Sequence, residues 1–507
     1  MNSLKQKLFS FKFIFLLSVA IIIIINGFTL MRFPFPHGDE AWMASRASEF
    51  LRNGTSFGEL DRGVFDRYEG YEYFNPWLST AIQSIGVLVV GSPSLLAIRL
   101  VSLAAGLLLL CSVYMIGFSL DGKQLGLLAV LLTAFSHPFI ISAHNGRSDI
   151  IAAALGFAGI AIYLNNKTKN KWLGFLSGLL VSLAFEVHPH AIIYTITVLA
   201  LFFYRERWRF IKTTDFWGFI IGGFLGLLFY LGMHILPNPG TYLRLTQLGY
   251  SFTRTPPIMT GDISVIWKAF TDQGYIIIYG YPQIILAVWA VVRLRKSRPS
   301  YLIPLLIICT ALVLCFALLV RNKLLYYAVL FSPGLSLLFA GFFNDLFNSS
   351  IKKSYESFLR YTILILFLFL PVMNTFNNNL VNNYYFVQSE VINAVTPSDT
   401  IMGNQLYWFG LQENEYLSWE NLVFDRRDRP GSDLESSFDQ LRPDILIIDD
   451  QVRNFVFDNE DRGMYFQELS ISKIELNDFL KKYATLETTI DKGFGIPIQV
   501  YRIHWNN

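Results

Sequence analysis

The chain has 507 residues, of which 53% are hydrophobic, 16% aromatic and only 16% charged, with a formal net charge of +3. Globular chains average about 45–50% apolar and about 25% charged residues, so this composition excludes a disordered chain, a coiled coil and a disulfide scaffold and argues against an ordinary soluble enzyme. The small net charge gives no reason to expect nucleic acid as a partner, and Cys111, Cys309 and Cys315 all lie in apolar runs, where they read as small hydrophobes.

A membrane helix needs about 20 mostly apolar residues. The first such run is Phe9–Leu30, preceded by Lys5 and Lys7. It is longer than the apolar region of a signal peptide, and no small-residue cleavage site follows it. The sequence therefore predicts a retained first helix with its N-terminus in the cytoplasm. Residues 31–97 then form a first external loop. Within it Glu40–Leu51 has the pattern of a short amphipathic helix, and Trp77–Val90 is apolar but too short to span, which predicts an interfacial or re-entrant segment. Further apolar runs lie at 98–119, 125–143, 149–165, 172–187, 190–204, 216–234, 275–292, 300–320, 326–343 and 361–374. They bring the expected number of membrane helices to about eleven. Residues 235–274 form a second external loop.

The basic residues set the orientation. Lys167, Lys169 and Lys171 mark one loop, and Arg205, Arg207, Arg209 and Lys212 the next on that side. Arg293, Arg295, Lys296 and Arg298 mark a third, and Lys352, Lys353 and Arg360 a fourth. All four fall on the side of Lys5 and Lys7 when Trp77–Val90 does not span, and all four turn outward when it does. The predicted topology thus has the N-terminus inside and the C-terminus outside. Beyond residue 375 the chain becomes rich in Asn, Asp, Glu and Gln. Helical patterns at Val387–Val395, Leu434–Leu441 and Leu476–Tyr483 alternate with strand patterns at Thr400–Trp408, Asp444–Ile448 and Ile496–Ile503. This predicts two parts, a helical membrane module over 1–374 and a soluble extracytoplasmic α/β domain over 375–507. The second part has no glycine-rich phosphate loop, so nothing in it points to nucleotide chemistry.

Charged groups at membrane depth are expensive and therefore informative. Four clusters fall on the outer side. Pro36-His37-Gly38-Asp39-Glu40-Ala41-Trp42 places two carboxylates just beyond the first helix. Asp39 reads either as a functional carboxylate or as the cap of the helix that follows. His144-Asn145-Gly146-Arg147-Ser148-Asp149 joins two apolar runs. Here the plainer reading is a helix cap with Arg147 reaching along the membrane surface. Glu186-Val187-His188-Pro189-His190 fills the next outer turn, either as a helix breaker or as a weak His-x-His metal motif. Arg321-Asn322-Lys323, followed by Tyr326 and Tyr327, together with Arg99, puts cations on the side that ordinarily lacks them. An anion at the outer headgroup level supplies a reason, and contact with lipid phosphate is the plainer alternative. A site of this kind suits a substrate with a lipid tail, an anionic phosphate and a polar head group.

These motifs resemble those of the GT-C glycosyltransferases, and more closely the protein-mannosyltransferase-like group that includes bacterial aminoarabinose transferases acting on lipid A. The resemblance rests on Gly38-Asp39-Glu40-Ala41, on Arg147-Ser148-Asp149, on the span from Leu324 to Pro333 with Tyr326 and Tyr327, and on the hairpin 172–204 with His188-Pro189 at its tip. It covers residues 1–345 or so; the stretch Tyr73-Phe74-Asn75-Pro76-Trp77 departs from it, having one proline and no basic residue. The resemblance implies transfer of a sugar from a polyprenyl-phosphate donor to a lipid, glycan or protein acceptor on the outer face of the membrane. In that reading Asp39 is the general base, helped by Glu40. Arg147, Arg321, Lys323, Arg99, His188 and Tyr326 are candidates for the donor phosphate. Asp149, His190 and His144 support the site, and a divalent metal is an open option. The competing classes are a transporter or flippase of a lipid-linked or anionic substrate, and a non-catalytic cell-envelope assembly protein.

Overall fold

The computed structural model describes residues 20, 22–61, 76–243, 281–320, 325–348, 361–362, 364–365, 368–369, 373, 384–419, 421–422, 425, 429, 431–450, 473–491 and 496–505. Its helices in chain order are α1 (Gly38–Asn53), α2 (Trp77–Val90), α3 (Leu95–Ala134), α4 (His137–Ala143), α5 (Asp149–Asn165), α6 (Lys171–Val187), α7 (Ile192–Glu206), α8 (Thr214–Tyr230), α9 (Tyr281–Ser297), α10 (Leu302–Leu319), α11 (Ser332–Asn348), α12 (Tyr384–Asn393), α13 (Leu434–Leu441) and α14 (Lys473–Tyr483). The strands are β1 (Thr400–Gly403), β2 (Glu415–Ser418), β3 (Ile445–Ile448), β4 (Ala484–Ile490) and β5 (Ile498–Ile503). The chain divides into two compact units. One comprises Met1–Leu30, Ser102–Gly232 and Thr255–Asn378, the other Met31–Val101, Met233–Arg254 and Asn379–Asn507. The sequence alone suggests a boundary near residue 374. By contacts, the second unit also takes in Met31–Val101, which includes the stretch expected to form the first external loop.

The first unit is helical. Three described helices are long and apolar enough to cross a membrane by length and composition: Leu95–Ala134, Thr214–Ile235 and Leu302–Leu319. Trp217, Ile221, Phe224, Leu225 and Leu228 of α8 are exposed, as a lipid-facing surface requires. The chain is an integral membrane protein. The runs expected at 98–119 and 125–143 are joined through Asp121 and Gly122, the latter at φ 81°, within α3. The second of these runs is interrupted after Ala134, and Pro138 then stands in the first turn of α4. Proline cannot continue a helix but suits its start, because the missing N–H has no partner there in any case. α6 and α8 pack closely against each other. Gly174 and Gly178 face the carbonyls of Asp215 and Phe219, while Gly218 and Gly222 face those of Lys171 and Phe175. A Cβ at any of the four would lie 2.0–2.1 Å from a carbonyl oxygen. Two GxxxG spacings therefore lock the hairpin backbone against backbone.

The second unit is built on a five-stranded sheet of order β2-β1-β3-β5-β4. β1 runs parallel to β2 and to β3, whereas β5 is antiparallel to β3 and β4. Alternation along the strands serves two cores. Met402, Leu446 and Ile448 pack with Phe438, Phe479 and Trp419 on one face. Ile401, Ile445 and Ile447 pack on the other with Val387 and Val391 of α12 and with Ala41, Ala44, Leu60, Leu95 and Ile98. The last five belong to the first external loop and the start of α3. A shared apolar core is the reason that loop clusters with the C-terminal segment.

Candidate functional site

In the second unit α1 begins at the acidic pair. The cap is His37, not Asp39. The Asp39 N–H donates to His37 Nδ1 at 3.2 Å, and the His37 N–H donates to Glu40 Oε2 at 2.9 Å, which makes a capping box. The neighbouring carboxylates then part company. Glu40 is fully buried and receives Arg99 Nε at 2.8 Å and Nη2 at 2.9 Å. Arg99 is also fully buried, and its Nη2 donates to the Pro34 carbonyl at 3.0 Å. A two-pronged pair of this kind is strong where both partners are removed from water. Glu40 and Arg99 therefore act first as mutual counter-ions that pin α1 to α3. The Asp39 side chain stays 28% exposed in the first turn, with Oδ1 3.4 Å from His37 Nδ1. A second buried pair holds the loop after α1: Arg46 Nε and Nη2 donate to Asp61 at 3.0 and 2.7 Å.

The first unit gathers a second set of polar groups. Arg147 Nε donates to Asp149 Oδ2 at 2.8 Å at the start of α5. The Arg147 guanidinium lies 4.8 Å from the centre of the Tyr326 ring and 5.9 Å from that of Tyr327, within cation–π range. His188 Nε2 stands 3.4 Å from Asp149 Oδ1. The rings of His188 and His190 are 4.5 Å apart and pack edge-on against Tyr327 at 5.0 and 4.8 Å. Burial pulls the His188 imidazole below its ordinary value; Asp149 opposes the shift and Arg147 adds to it. The ring is neutral at neutral pH. Its Nδ1 accepts the His190 N–H at 3.3 Å, which leaves the proton on Nε2, toward Asp149. Burial works to lower the Arg147 pKa, but Asp149 and the two tyrosines outweigh it and hold it above its usual value.

The tyrosines sit on a 3-10 turn, Leu325–Leu330. Ser142 Oγ donates to the Tyr326 carbonyl at 3.4 Å and Tyr194 Oη to the Leu330 carbonyl at 2.9 Å. The Tyr194 ring fits because Gly156 has no side chain, since a Cβ there would fall 2.1 Å from it.

Five expected residues thus come together: Arg147, Asp149, His188, His190 and Tyr326. His144 does not join them. Its Nδ1 is 2.7 Å from the Ile140 carbonyl and its Nε2 3.2 Å from Thr29 Oγ1, so it closes the end of α4. Arg321 and Lys323 lie outside the described residues. Among the described residues no group of three or more His, Cys, Asp or Glu side chains is arranged to hold a metal ion. Asn145, which lies within the same cluster as His144, was given no role from the sequence. Its amide is fully buried, with neither polar atom hydrogen-bonded.

Residues 75–234 match the model of the dolichyl-phosphate-mannose-protein mannosyltransferase family. No curated protein matches the chain by sequence. Among solved structures the chain is similar to ArnT from Cupriavidus metallidurans in the apo state, with a TM-score of 0.61, 13% identity, and coverage of 96% of this chain and 97% of that one. The fold is that of the GT-C glycosyltransferases. The same GT-C protein bound to undecaprenyl phosphate superimposes with a TM-score of 0.62 at 13% identity, over 96% and 97% of the two chains. The Archaeoglobus fulgidus oligosaccharyltransferase in its apo form gives 0.54 at 12% identity, over 94% of this chain and 73% of that one. The shared GT-C fold runs through the C-terminal domain as well as the membrane helices, and within it the chain resembles the aminoarabinose transferase.

Proposed function

We propose that the protein is an integral membrane glycosyltransferase. It moves a sugar from a polyprenyl-phosphate donor to an acceptor hydroxyl on the outer face of the membrane, by a single inverting displacement. The observation that carries this reading is the fold, shared over nearly the whole chain with ArnT, whose structure has been solved with undecaprenyl phosphate. Asp39 is the general base. It is the partly exposed member of the acidic pair, while Glu40 is held by Arg99. As the acceptor oxygen bonds to C1 of the sugar, its proton passes to Asp39. The C1–O bond to phosphate breaks, and its electron pair leaves with the polyprenyl phosphate. Such a leaving group needs positive charge rather than a proton donor. Arg147, with the Tyr326 and neutral His188 side chains beside it, supplies that role, and Arg321 and Lys323 are further candidates on sequence grounds.

The test is mass spectrometry of surface glycans and envelope lipids from cells carrying the wild-type chain or Asp39→Asn. Loss of a positioned general base costs about 10²–10⁴-fold in rate. The expected result is a product, heavier by one sugar residue, that disappears in the variant while membrane abundance is unchanged. A variant that still makes the product removes Asp39 from the role of base. Flux of a labelled lipid-linked sugar through reconstituted vesicles with no covalent product points to a transporter instead.

A further inference from the structure

We infer that the carboxyl edge of the parallel strands β2-β1-β3 is a seat for the helix that carries Asp39, and that Asn404 and Gln405 are positioning residues for that carboxylate. The inference rests on the reading of Asp39 as the base. In open α/β sheets the carboxyl ends of parallel strands, where the chain switches direction, usually hold a ligand. β1 is that switch strand here, with β2 on one side and β3 on the other. The residues at this edge are Asn404 and Gln405 after β1, Ser418 at the end of β2 and Asp449 after β3, all buried. They are cross-linked. Asn404 Nδ2 donates to Asp449 Oδ2 at 3.1 Å, Tyr407 Oη donates to the same oxygen at 3.2 Å, and Gln405 Nε2 donates to Ser418 Oγ at 2.9 Å. Asn404 Oδ1 accepts the Leu406 N–H at 3.0 Å, and Tyr416 Oη donates to the Asn404 carbonyl.

The occupant of this edge is the first turn of α1. A Cβ built on Gly38 would lie 3.1 Å from Gln405 Oε1, 3.3 Å from Asn404 Oδ1 and 3.8 Å from Gln405 Cβ. Gly38 is not among the positive-φ glycines, so its backbone conformation does not require glycine. The two amides approach it closely, and a Cβ there would be short of room by a few tenths of an ångström. A second tie runs from Trp408 Nε1 to Glu59 Oε2, 3.0 Å, beyond the far end of α1. A satisfied, buried polar network has few alternative arrangements. It therefore fixes the height and rotation of the helix start, and with it Asp39. An error of about 1 Å in such placement costs on the order of 10²-fold in rate.

Two measurements on the full-length chain in its membrane test this. The Gly38→Cys/Gln405→Cys pair has the Cβ separation of a disulfide, about 3.5–4.5 Å, and forms one on mild oxidation, read as a mobility shift after a cut between the two positions. Gly38→Ala and, separately, Gln405→Ala each lower kcat for the product defined by Asp39→Asn by roughly 10–100-fold and leave donor KM and membrane abundance as in wild type. Wild-type kcat in Gly38→Ala or in Gln405→Ala, or a pair that stays reduced, overturns the seat. An active Asp39→Asn overturns the reading beneath it as well. A dead Asp39→Asn with a normal Gly38→Ala overturns the seat alone.

Discussion

Asp39 and Glu40 are neighbours in sequence, yet they meet different surroundings. Glu40 is sealed against Arg99, and Asp39 keeps access to solvent. Their substitutions should therefore separate. Arg99→Met strands a buried carboxylate and costs about 3–5 kcal/mol. The melting temperature of the detergent-solubilised chain should fall clearly, and Glu40→Leu added to Arg99→Met should restore most of it. Asp39→Asn should leave melting unchanged while product is lost. A stable Arg99→Met would return Arg99 to the set of ligand-binding cations. The sequence shows Arg99 as positive charge on the side that ordinarily lacks it. It does not show the partner, because Glu40 is 59 residues away and only the fold closes that distance. The Arg147, Asp149, His188 and Tyr326 set was more legible. Each of its members lies in a turn between apolar runs, and alternation of the spans brings such turns to one side of the membrane.

At the scale of elements, apolar length located most helices to within a few residues, as for α5, α6 and α10. It failed where hydrophobicity and backbone geometry disagree. The run 125–143 is apolar throughout, yet the chain breaks within it, and the expected helix 326–343 opens as a 3-10 turn. Strands β2 and β4 were missed for a related reason. β2 has four residues, and β4, Ala-Thr-Leu-Glu-Thr-Thr-Ile, is a polar edge strand whose outer face needs no apolar residues. The α6–α8 hairpin gives a sharp test. Gly222→Val drives a side chain into the Phe175 carbonyl and should cost about 3 kcal/mol or more, read as a drop in melting temperature. Gly223→Val is the control. The nearest atom to its Cβ is a carbonyl oxygen 3.9 Å away, so the variant should melt like wild type.

For the whole molecule the topology is the testable quantity. On a cysteine-free background, Lys482→Cys in the C-terminal domain should react with a membrane-impermeant maleimide in intact cells. Lys169→Cys, in a basic loop, should react only after the membrane is opened. Both side chains are well exposed, at 60% and 43%, so a failure to label reports the side of the membrane rather than burial. The opposite pattern would invert every loop assignment. The sequence argues for this orientation because four separate basic loops agree. It did not reveal that the first external loop shares a core with the C-terminal segment, since Trp408 and Glu59 stand 349 residues apart. That separation has a consequence for how the protein is made. Ribosomes add about 5–20 residues per second, so the loop emerges on the order of 20–70 s before the strands that cover it. Through that interval Ala41, Ala44, Leu60 and Ile98 have no apolar surface from the sheet to pack against. The early loop should therefore be exposed to chaperones and proteases until the last part of the chain arrives, and a prematurely terminated chain should keep it so.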